Sequence, residues 1–291
     1  MPSSECNKEL NYRESNGVIR EITQAEPEEQ SGDTTPKSDR RRMEFLRPLG
    51  GVVVALLLWE VISIAGIVNK SAMPTPFATF DAIVKHAGGL GSAVLGTLEA
   101  WALGIVIAAI AGIAVGTVVG RSRTADAATE TLVRMMRPLP SLALIPIAIL
   151  VAGLGLKMTS GLVSFAAFWP IFINTRAGVH QVDNRFLESA SALGLRRFEL
   201  IRRVVIPASL PMIASGIQVA ISLALVVTVS VELVGGTGGL GQFVLAAQQG
   251  NATSSMFAGV IVGGSLGWAL NAIYLGVIDR AMPWRTQGNR N

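Results

Sequence analysis

The chain has 291 residues, of which 50% are hydrophobic and 15% are charged, and its mean hydropathy is +0.49. So little charge in a chain of this size excludes an ordinary soluble domain and indicates a membrane protein. The single cysteine, Cys6, excludes an intrachain disulfide and a cysteine-based metal site. The net charge of +4 has to be interpreted from where the basic residues lie.

The N-terminal residues 1–45 are polar and carry no apolar pattern long enough to bury a core, so we expect a disordered tail. No apolar run precedes residue 49, which argues against a cleaved signal peptide. We therefore expect the membrane domain to occupy 46–280 and a second short tail to occupy 281–291.

Six apolar runs follow the tail, and a helical crossing needs about 20 such residues. The sequence therefore predicts an all-α membrane protein with six transmembrane helices. In the second run, Gly112, Gly116 and Gly120 recur at four-residue spacing after Ala108, which predicts close contact with another helix. The six runs lie at 49–68, 94–119, 139–154, 162–179, 210–234 and 256–278.

The basic residues predict the orientation of these helices, because cytoplasmic segments retain positive charge during insertion. With six crossings, all but three of the 24 Lys and Arg residues fall on one side of the membrane. Both termini are therefore predicted to be cytoplasmic, and the basic balance reflects topology rather than a nucleic-acid partner. The three exceptions are Lys70, Lys85 and Lys157.

Sequence signals for catalysis are absent. No Gly-x4-Gly-Lys-Ser/Thr loop occurs, so the chain is not expected to hydrolyse ATP by itself. His86 and His180 fall on opposite predicted sides, and no pair of carboxylates has metal-ligand spacing. The sequence thus predicts no catalytic residue, no metal and no cofactor in this chain, which we do not expect to be an enzyme.

The segment between the fourth and fifth apolar runs, residues 182–207, is too polar to cross the membrane and too periodic for a loose loop. We predict two short helices with a turn near Gly194. Such a hairpin either lies on the membrane surface or docks a soluble partner. Its predicted apolar faces contain Leu187, Ala190 and Leu193 before the glycine, and Phe198, Ile201 and Val205 after it.

This segment resembles the EAA motif of ABC importer permeases, E-A-A-x3-G-x9-I-x-L-P, with Ser189 in place of the usual alanine. In that family the motif forms a coupling helix that sits in a cleft of the ATP-hydrolysing subunit. The resemblance implies that Gly194 permits the turn, that Glu188 holds the hairpin's fold or contacts the partner, and that Pro207 begins the next span. The matching residues are Glu188, Ser189, Ala190, Gly194, Val204, Ile206 and Pro207.

The resemblance extends over most of residues 53–280 and points to the subfamily that imports sulfonates, taurine, nitrate and related small solutes. It implies a type I importer permease fold in the plasma (inner) membrane. It also implies two ATP-binding subunits that hold ATP and magnesium, a second permease copy in a homodimer, and an extracytoplasmic solute-binding protein. The matching stretches are Trp59-Glu60, Pro74-Thr75-Pro76, 137–140 with Ile145-Pro146, and 168–175.

A polar stripe in the fifth apolar run marks a candidate pathway. On a helical wheel, Ser215 and four further polar residues fall within an arc of about 140°. Polar groups in hydrocarbon need partners or water, so the stripe either faces a pathway or makes hydrogen bonds between helices. The candidate pathway residues are Gln218, Ser222, Thr228 and Glu232, with Asn174 and Asn271 as weaker additions.

Glu232 lies near the outer end of its predicted span, and the resembling permeases often carry a glutamate here. Three roles stay open at this point. Glu232 lines an outer gate, caps the helix that begins near Gly239, or pairs with Lys157.

Two other functions compete with an importer subunit. An ion-coupled secondary transporter would need no ATPase, but it should show inverted repeats or carboxylates near the membrane centre. No internal repeat is visible in the sequence. A membrane-surface scaffold would leave the polar stripe unexplained.

Overall fold

The structure is a computed structural model, and it describes residues 37–65, 72–136, 141–235 and 238–282. Contacts divide the chain into two units, Met1–Ala55 and Leu56–Asn291. Helix α1, Lys37–Ile64, runs through this boundary and begins inside the stretch predicted as a tail. The predicted tail residues 1–36 and 283–291 lie outside the described residues.

Every regular element in the described ranges is helical. A 3-10 turn, Ser141–Leu144, leads into α5, and a π-helical turn, Ile201–Val205, joins α8 to α9. After α1 the helices are α2 Pro76–Lys85, α3 Ala87–Arg121, α4 Arg123–Met136, α5 Ile145–Ala152, α6 Leu156–His180, α7 Asn184–Ala192, α8 Arg197–Leu200, α9 Ile206–Gly235, α10 Leu240–Gln249 and α11 Thr253–Ala281.

Four helical segments in the described residues are long and apolar enough to cross a membrane. They are α3, α6, α11 and the continuous segment Arg197–Gly235. Two helices bent by 80°, Thr124–Met136 and Ser141–Ala152, make a fifth crossing if they count as one. The all-helical prediction is confirmed, whereas six crossings stay a prediction because the apolar part of α1, Gly50–Ile64, is shorter.

Helices α3 and α6 touch along a row of small residues, which confirms the predicted close contact. A Cβ atom on Gly112 would lie 2.9 Å from Cγ2 of Ile171, and one on Gly116 would lie 2.8 Å from Cβ of Thr175. Only a hydrogen fits at these positions, so the two backbones approach closely. Gly104, which faces Val163, extends the row by two turns beyond the predicted glycines.

Helix α9 closes a three-helix core on the other side of α6. A Cβ on Gly216 would lie 2.8 Å from Cβ of Asn174, and Trp101 donates from Nε1 to the carbonyl of Ile221 across 3.1 Å. The core buries aliphatic side chains of mixed size, with Met158 and Leu162 beside several alanines. Its fully buried members include Val163, Ala167, Ile171, Ala220, Ala224 and Val231.

The helices of this core end at two distinct clusters. At one end, Leu90 and Ala93 of α3 pack with Leu240 of α10 and Ala258 of α11. At the other, Val179 of α6 packs against the segment 182–207. We call these the Glu232 end and the hairpin end.

Candidate functional site

The turn predicted at Gly194 is present. Gly194 has φ +80°, a conformation that residues with a Cβ rarely adopt. Its N–H bonds the carbonyl of Ser191 at 3.0 Å, and the N–H of Leu195 bonds the carbonyl of Ala190 at 3.3 Å. These two bonds form a Schellman motif, which ends α7 and turns the chain back toward α8.

The hairpin has a small apolar interior of its own. Leu187 and Ala190 of α7 pack with Leu200 and Val205, and the cluster rests on Val179 at the end of α6. The hairpin is therefore fixed to α6 by side-chain packing as well as by the chain connection.

The apolar faces of the hairpin differ from the predicted ones. Leu193 is 81% exposed and Phe198 is 74% exposed, because the turn at Gly194 carries both outward. On α7, Phe186 is 66% exposed and shares with Ser189 and Leu193 the i, i+3, i+7 spacing of one helix face. The hairpin thus presents an apolar surface of Phe186, Leu193 and Phe198. Phe186 was not among the residues predicted for the apolar faces.

The second helix of the hairpin continues into the membrane helix, although Pro207 was expected to begin a new one. Proline lacks an N–H and crowds the carbonyl four residues earlier. The π turn relieves this by widening the helix just before the proline, where the N–H of Ile206 bonds the carbonyl of Ile201. The result is one helix over Arg197–Gly235.

The predicted coupling residues divide between the surface and the interior of the hairpin. The exposed ones are Glu188, Ser189, Gly194 and Pro207. Ala190 is buried, and Val204 and Ile206 are half-buried.

Glu232 lies in a buried joint between three helices and is 2% exposed. Its Oε2 accepts from Oγ1 of Thr97 at 3.0 Å and from the N–H of Gly241 at 2.9 Å. Thr97 in turn accepts the N–H of Leu240 at 2.9 Å. Glu232 and Thr97 together cap the first turn of α10, and among the described residues no ion pair joins Glu232 to Lys157.

The Oε1 atom of Glu232 is buried without a hydrogen-bond partner in the described part of the chain. A buried acceptor without a donor is costly, so the surrounding helices must hold this arrangement in place. Thr97 was not predicted from the sequence, because nothing in an apolar run links a threonine to a residue 135 positions away.

The polar stripe of α9 has two parts. Toward the hairpin end, Gln218 is half-buried and Ser222 is exposed. Thr228, by contrast, is fully buried and donates to the carbonyl of Ala224 in its own helix. In the described residues, none of the predicted stripe serines or threonines bonds another helix.

Asn174 lies on α6 at the contact with α9. It is half-buried, and its Nδ2 donates to the carbonyl of Pro170 at 2.8 Å. Asn271 is half-buried on α11. The structure therefore brings Asn174 next to Gly216 of α9, the helix that carries the polar stripe.

An ion pair near the hairpin end was not predicted. Arg176 of α6 donates from Nε to Oδ1 of Asp126 on α4, and each side chain is 19% exposed. Arg176 lies one turn before His180, where α6 ends and the hairpin begins. The pair therefore ties the bent α4–α5 unit to the helix that carries the hairpin.

Within the described ranges, no group of three His, Cys, Asp or Glu side chains has the geometry to hold a metal ion. The functional features found there are the hairpin, the buried joint and the open part of the polar stripe.

A family model described as "Binding-protein-dependent transport system inner membrane component" matches residues 104–285. This match covers more than half of the chain. The chain belongs to this family. It is thus a multi-pass permease component of a transport system in the plasma (inner) membrane.

Two relatives match nearly the whole permease. The bicarbonate transport system permease protein CmpB of Synechococcus elongatus is 30% identical over 263 residues, which cover 85% of this chain and 91% of that one. The taurine transport system permease protein TauC of Escherichia coli is 27% identical over 263 residues, which cover 85% and 96%.

The fold matches a solved inward-facing structure of the MetNI methionine ABC transporter. The TM-score is 0.51 at 18% identity, and the match covers 65% of this chain and 95% of that one. At this identity the likeness shows the fold alone. The chain has the fold of an ABC importer permease.

Proposed function

We propose that the chain is the membrane-spanning subunit of an ATP-driven importer. It moves a small solute by alternating access when two ATP-binding subunits close on the hairpin. ATP and magnesium belong to those subunits, and a second copy of the chain completes the pathway as a homodimer. A solute-binding protein delivers the solute from the extracytoplasmic side.

The observation that carries this proposal is the exposed apolar surface of the hairpin. Phe186, Leu193 and Phe198 are each at least 66% exposed, and Arg185 and Arg197 beside them are exposed as well. Large apolar groups with a charged rim mark a protein interface. The hairpin packs on α6 and continues into α9. A partner that binds this surface therefore acts on both core helices.

The proposed topology has six crossings and places both termini and the hairpin in the cytoplasm, as the distribution of Lys and Arg predicts. The Glu232 end then faces outward. We propose that Gln218 and Ser222 line the pathway at the face of α9 that meets the second copy. Thr228, Asn174 and Glu232 lie behind this face, with Glu232 holding α10 in place.

For the solute, we propose a small sulfonate such as taurine, nitrate or a similar solute. TauC, whose name gives taurine, and CmpB, whose name gives bicarbonate, both match this chain over 85% of its length. Taurine and bicarbonate are both small and polar, and each carries an acidic group. The sequence resemblance points to the same group of solutes.

The test is purification of the tagged chain from its native membrane in mild detergent, with co-purifying proteins quantified by mass spectrometry. We expect an ATP-binding subunit at about one copy per permease chain. A matched preparation of Phe198→Asp should lose that subunit, because the substitution places a charge in the apolar contact. Uptake driven by an ion gradient, with no nucleotide-binding protein attached, would instead favour a secondary transporter.

A further inference from the structure

The four long helices α3, α6, α9 and α11 contain three amide side chains, which are Asn174 of α6, Gln218 of α9 and Asn271 of α11. The amide of Asn174 is used within its own helix, where Nδ2 donates to the carbonyl of Pro170 at 2.8 Å. Gln218 and Asn271 are half-buried and make no hydrogen bond within the described residues. We call Gln218 and Asn271 the two free amides.

Two contacts fix the register of α9 against α11. The hydroxyl of Tyr274 donates to the carbonyl of Ala214 at 2.8 Å, and a Cβ atom on Gly267 would lie 3.0 Å from Cδ2 of Leu225. The helices are antiparallel, because the later residue of α11 meets the earlier residue of α9. Both free amides lie between these contacts, within about one helical turn of each other along the helix axes. They are in the first half of α9 and the second half of α11, toward the hairpin end.

The two free amides also lie on the same side of the contact between α9 and α11. At 100° per residue, Gln218 is about 40° around α9 from Ala214. Asn271 is about 60° around α11 from Tyr274, in the same rotational sense. In antiparallel neighbours, rotations in the same sense turn both side chains toward the same opening between the helices. Ser222, one turn after Gln218, is exposed on this side as well.

The polar groups at this opening are neutral. Helix α9 contains no Lys, Arg or His, and the only such residue of α11 is Arg280, in its last turn. Arg176 of α6 is paired with Asp126 of α4. A solute between α9 and α11 therefore meets uncharged donors from these two helices, and each free amide supplies two N–H groups.

An amide without a partner is costly in the apolar interior of a membrane protein. We propose that Gln218 and Asn271 bind the acidic group of the solute through their N–H groups as it passes the opening between α9 and α11. Neutral donors hold an oxyanion less tightly than an arginine does, which favours release of the solute. The inference rests on the proposed function and deepens it, because it names the solute contacts and adds α11 to the pathway.

The test is uptake of radiolabelled taurine, nitrate and bicarbonate by the full complex in proteoliposomes, with loaded solute-binding protein in excess outside and ATP inside. We expect the wild type to transport at least one of these acids. Gln218→Ala and Asn271→Ala should each lower its uptake rate by about tenfold or more, since hydrogen bonds to charged groups are among the stronger ones. Ser265→Ala is the matched control on α11, because this exposed serine lies about 180° around the helix from Tyr274, away from α9.

A second pair of variants separates solute contact from packing. Asn271→Asp keeps nearly the same shape but replaces the N–H donors with a carboxylate, which repels an acid, so uptake should fall to background. Asn271→Gln keeps the amide and should retain most of the uptake. Thermal unfolding and retention of the ATP-binding subunit are measured on the same preparations, and we expect both to match the wild type in every variant.

The inference is overturned if the alanine variants and Asn271→Asp transport as the wild type does. It is also overturned if the alanine variants unfold earlier but transport normally per folded complex, because the amides then join helices or copies of the chain. A wild-type complex that keeps its ATP-binding subunit but transports none of the three acids contradicts this inference alone and leaves the importer function standing. A chain that purifies without an ATP-binding subunit contradicts the proposed function itself, and this inference with it.

Discussion

Thr97 and Glu232 are 135 residues apart in the chain, yet their side chains meet at 3.0 Å in a joint buried between α3, α9 and α10. Thr97 both donates to the carboxyl group and accepts from Leu240, so a single hydroxyl links three helices. The joint fixes the start of α10 against the end of α9. In the proposed topology, this is the end where solute would enter.

Thr97→Val removes the hydroxyl while keeping the shape of the side chain. It leaves the N–H of Leu240 without a partner and removes one of the two donors to Oε2 of Glu232, and a buried unsatisfied group costs about 1 to 3 kcal/mol. We expect a clear drop in the thermal unfolding temperature of the purified permease. Thr159→Val is the control, since that buried hydroxyl bonds only its own helix. Equal losses in both variants would show that the joint adds no stability.

The packing of α3 and α6 predicts that glycine-to-alanine substitutions at Gly116 and Gly161 have opposite effects on stability. In Gly116→Ala the new methyl group would lie 2.8 Å from Cβ of Thr175 and 3.0 Å from the carbonyl of Phe172. Overpacking of this kind costs about 1 to 3 kcal/mol. Gly161→Ala on α6 meets nothing within 4 Å and should be neutral or stabilising by up to about 1 kcal/mol. Thermal unfolding of both variants in one detergent measures the difference.

The glycine row and the hairpin turn were predictable because their causes are local. Four-residue spacing puts Gly112, Gly116 and Gly120 on one side of any helix, whatever that side touches. Gly194 follows an apolar helical stripe, which is a common place for a helix to end. These features need only the geometry of a single helix.

The joint and the exposed apolar surface depend on contacts that no single helix contains. Glu232 bonds Thr97 of α3 and caps α10, and both lie outside its own helix. The sequence alone therefore left three roles open for Glu232. Leu193 and Phe198 were assigned to apolar faces because each is an apolar residue at helical spacing from other apolar residues. Only the angle set by the Gly194 turn decides that both point outward.

Asp126→Asn should destabilise the permease by removing the partner of Arg176. Both side chains are 19% exposed. We therefore expect the free energy of unfolding to fall by about 1 to 3 kcal/mol, between the values typical of surface and buried ion pairs. Glu130→Gln is the control, because Glu130 is 49% exposed and its partner Arg134 is 78% exposed. Loss of this surface pair should lower the free energy of unfolding by less than about 0.5 kcal/mol. Restoration of stability by exchanging the two charges, Asp126→Arg with Arg176→Asp, would confirm the pair, and equal unfolding temperatures for both single variants would contradict it.

Gly194 tests whether the hairpin transmits force. With φ +80°, Gly194→Ala should strain the turn by about 1 to 2 kcal/mol and turn Leu193 and Phe198 away from their present directions. Gly194→Asn should be milder, since asparagine tolerates this conformation. Nothing lies within 4 Å of the position, so the effect comes from backbone geometry and not from a clash.

We expect Gly194→Ala to insert normally, to hold the ATP-binding subunit more weakly, and to lose most uptake in a panel of taurine, nitrate and bicarbonate. Gly250→Ala is the matched control, because this glycine also follows a helix but has φ −80°, which alanine adopts freely. Wild-type transport and subunit retention in Gly194→Ala would show that the shape of this turn does not couple ATP hydrolysis to the membrane helices. A loss in Gly194→Ala with recovery in Gly194→Asn would instead place the coupling in the turn itself.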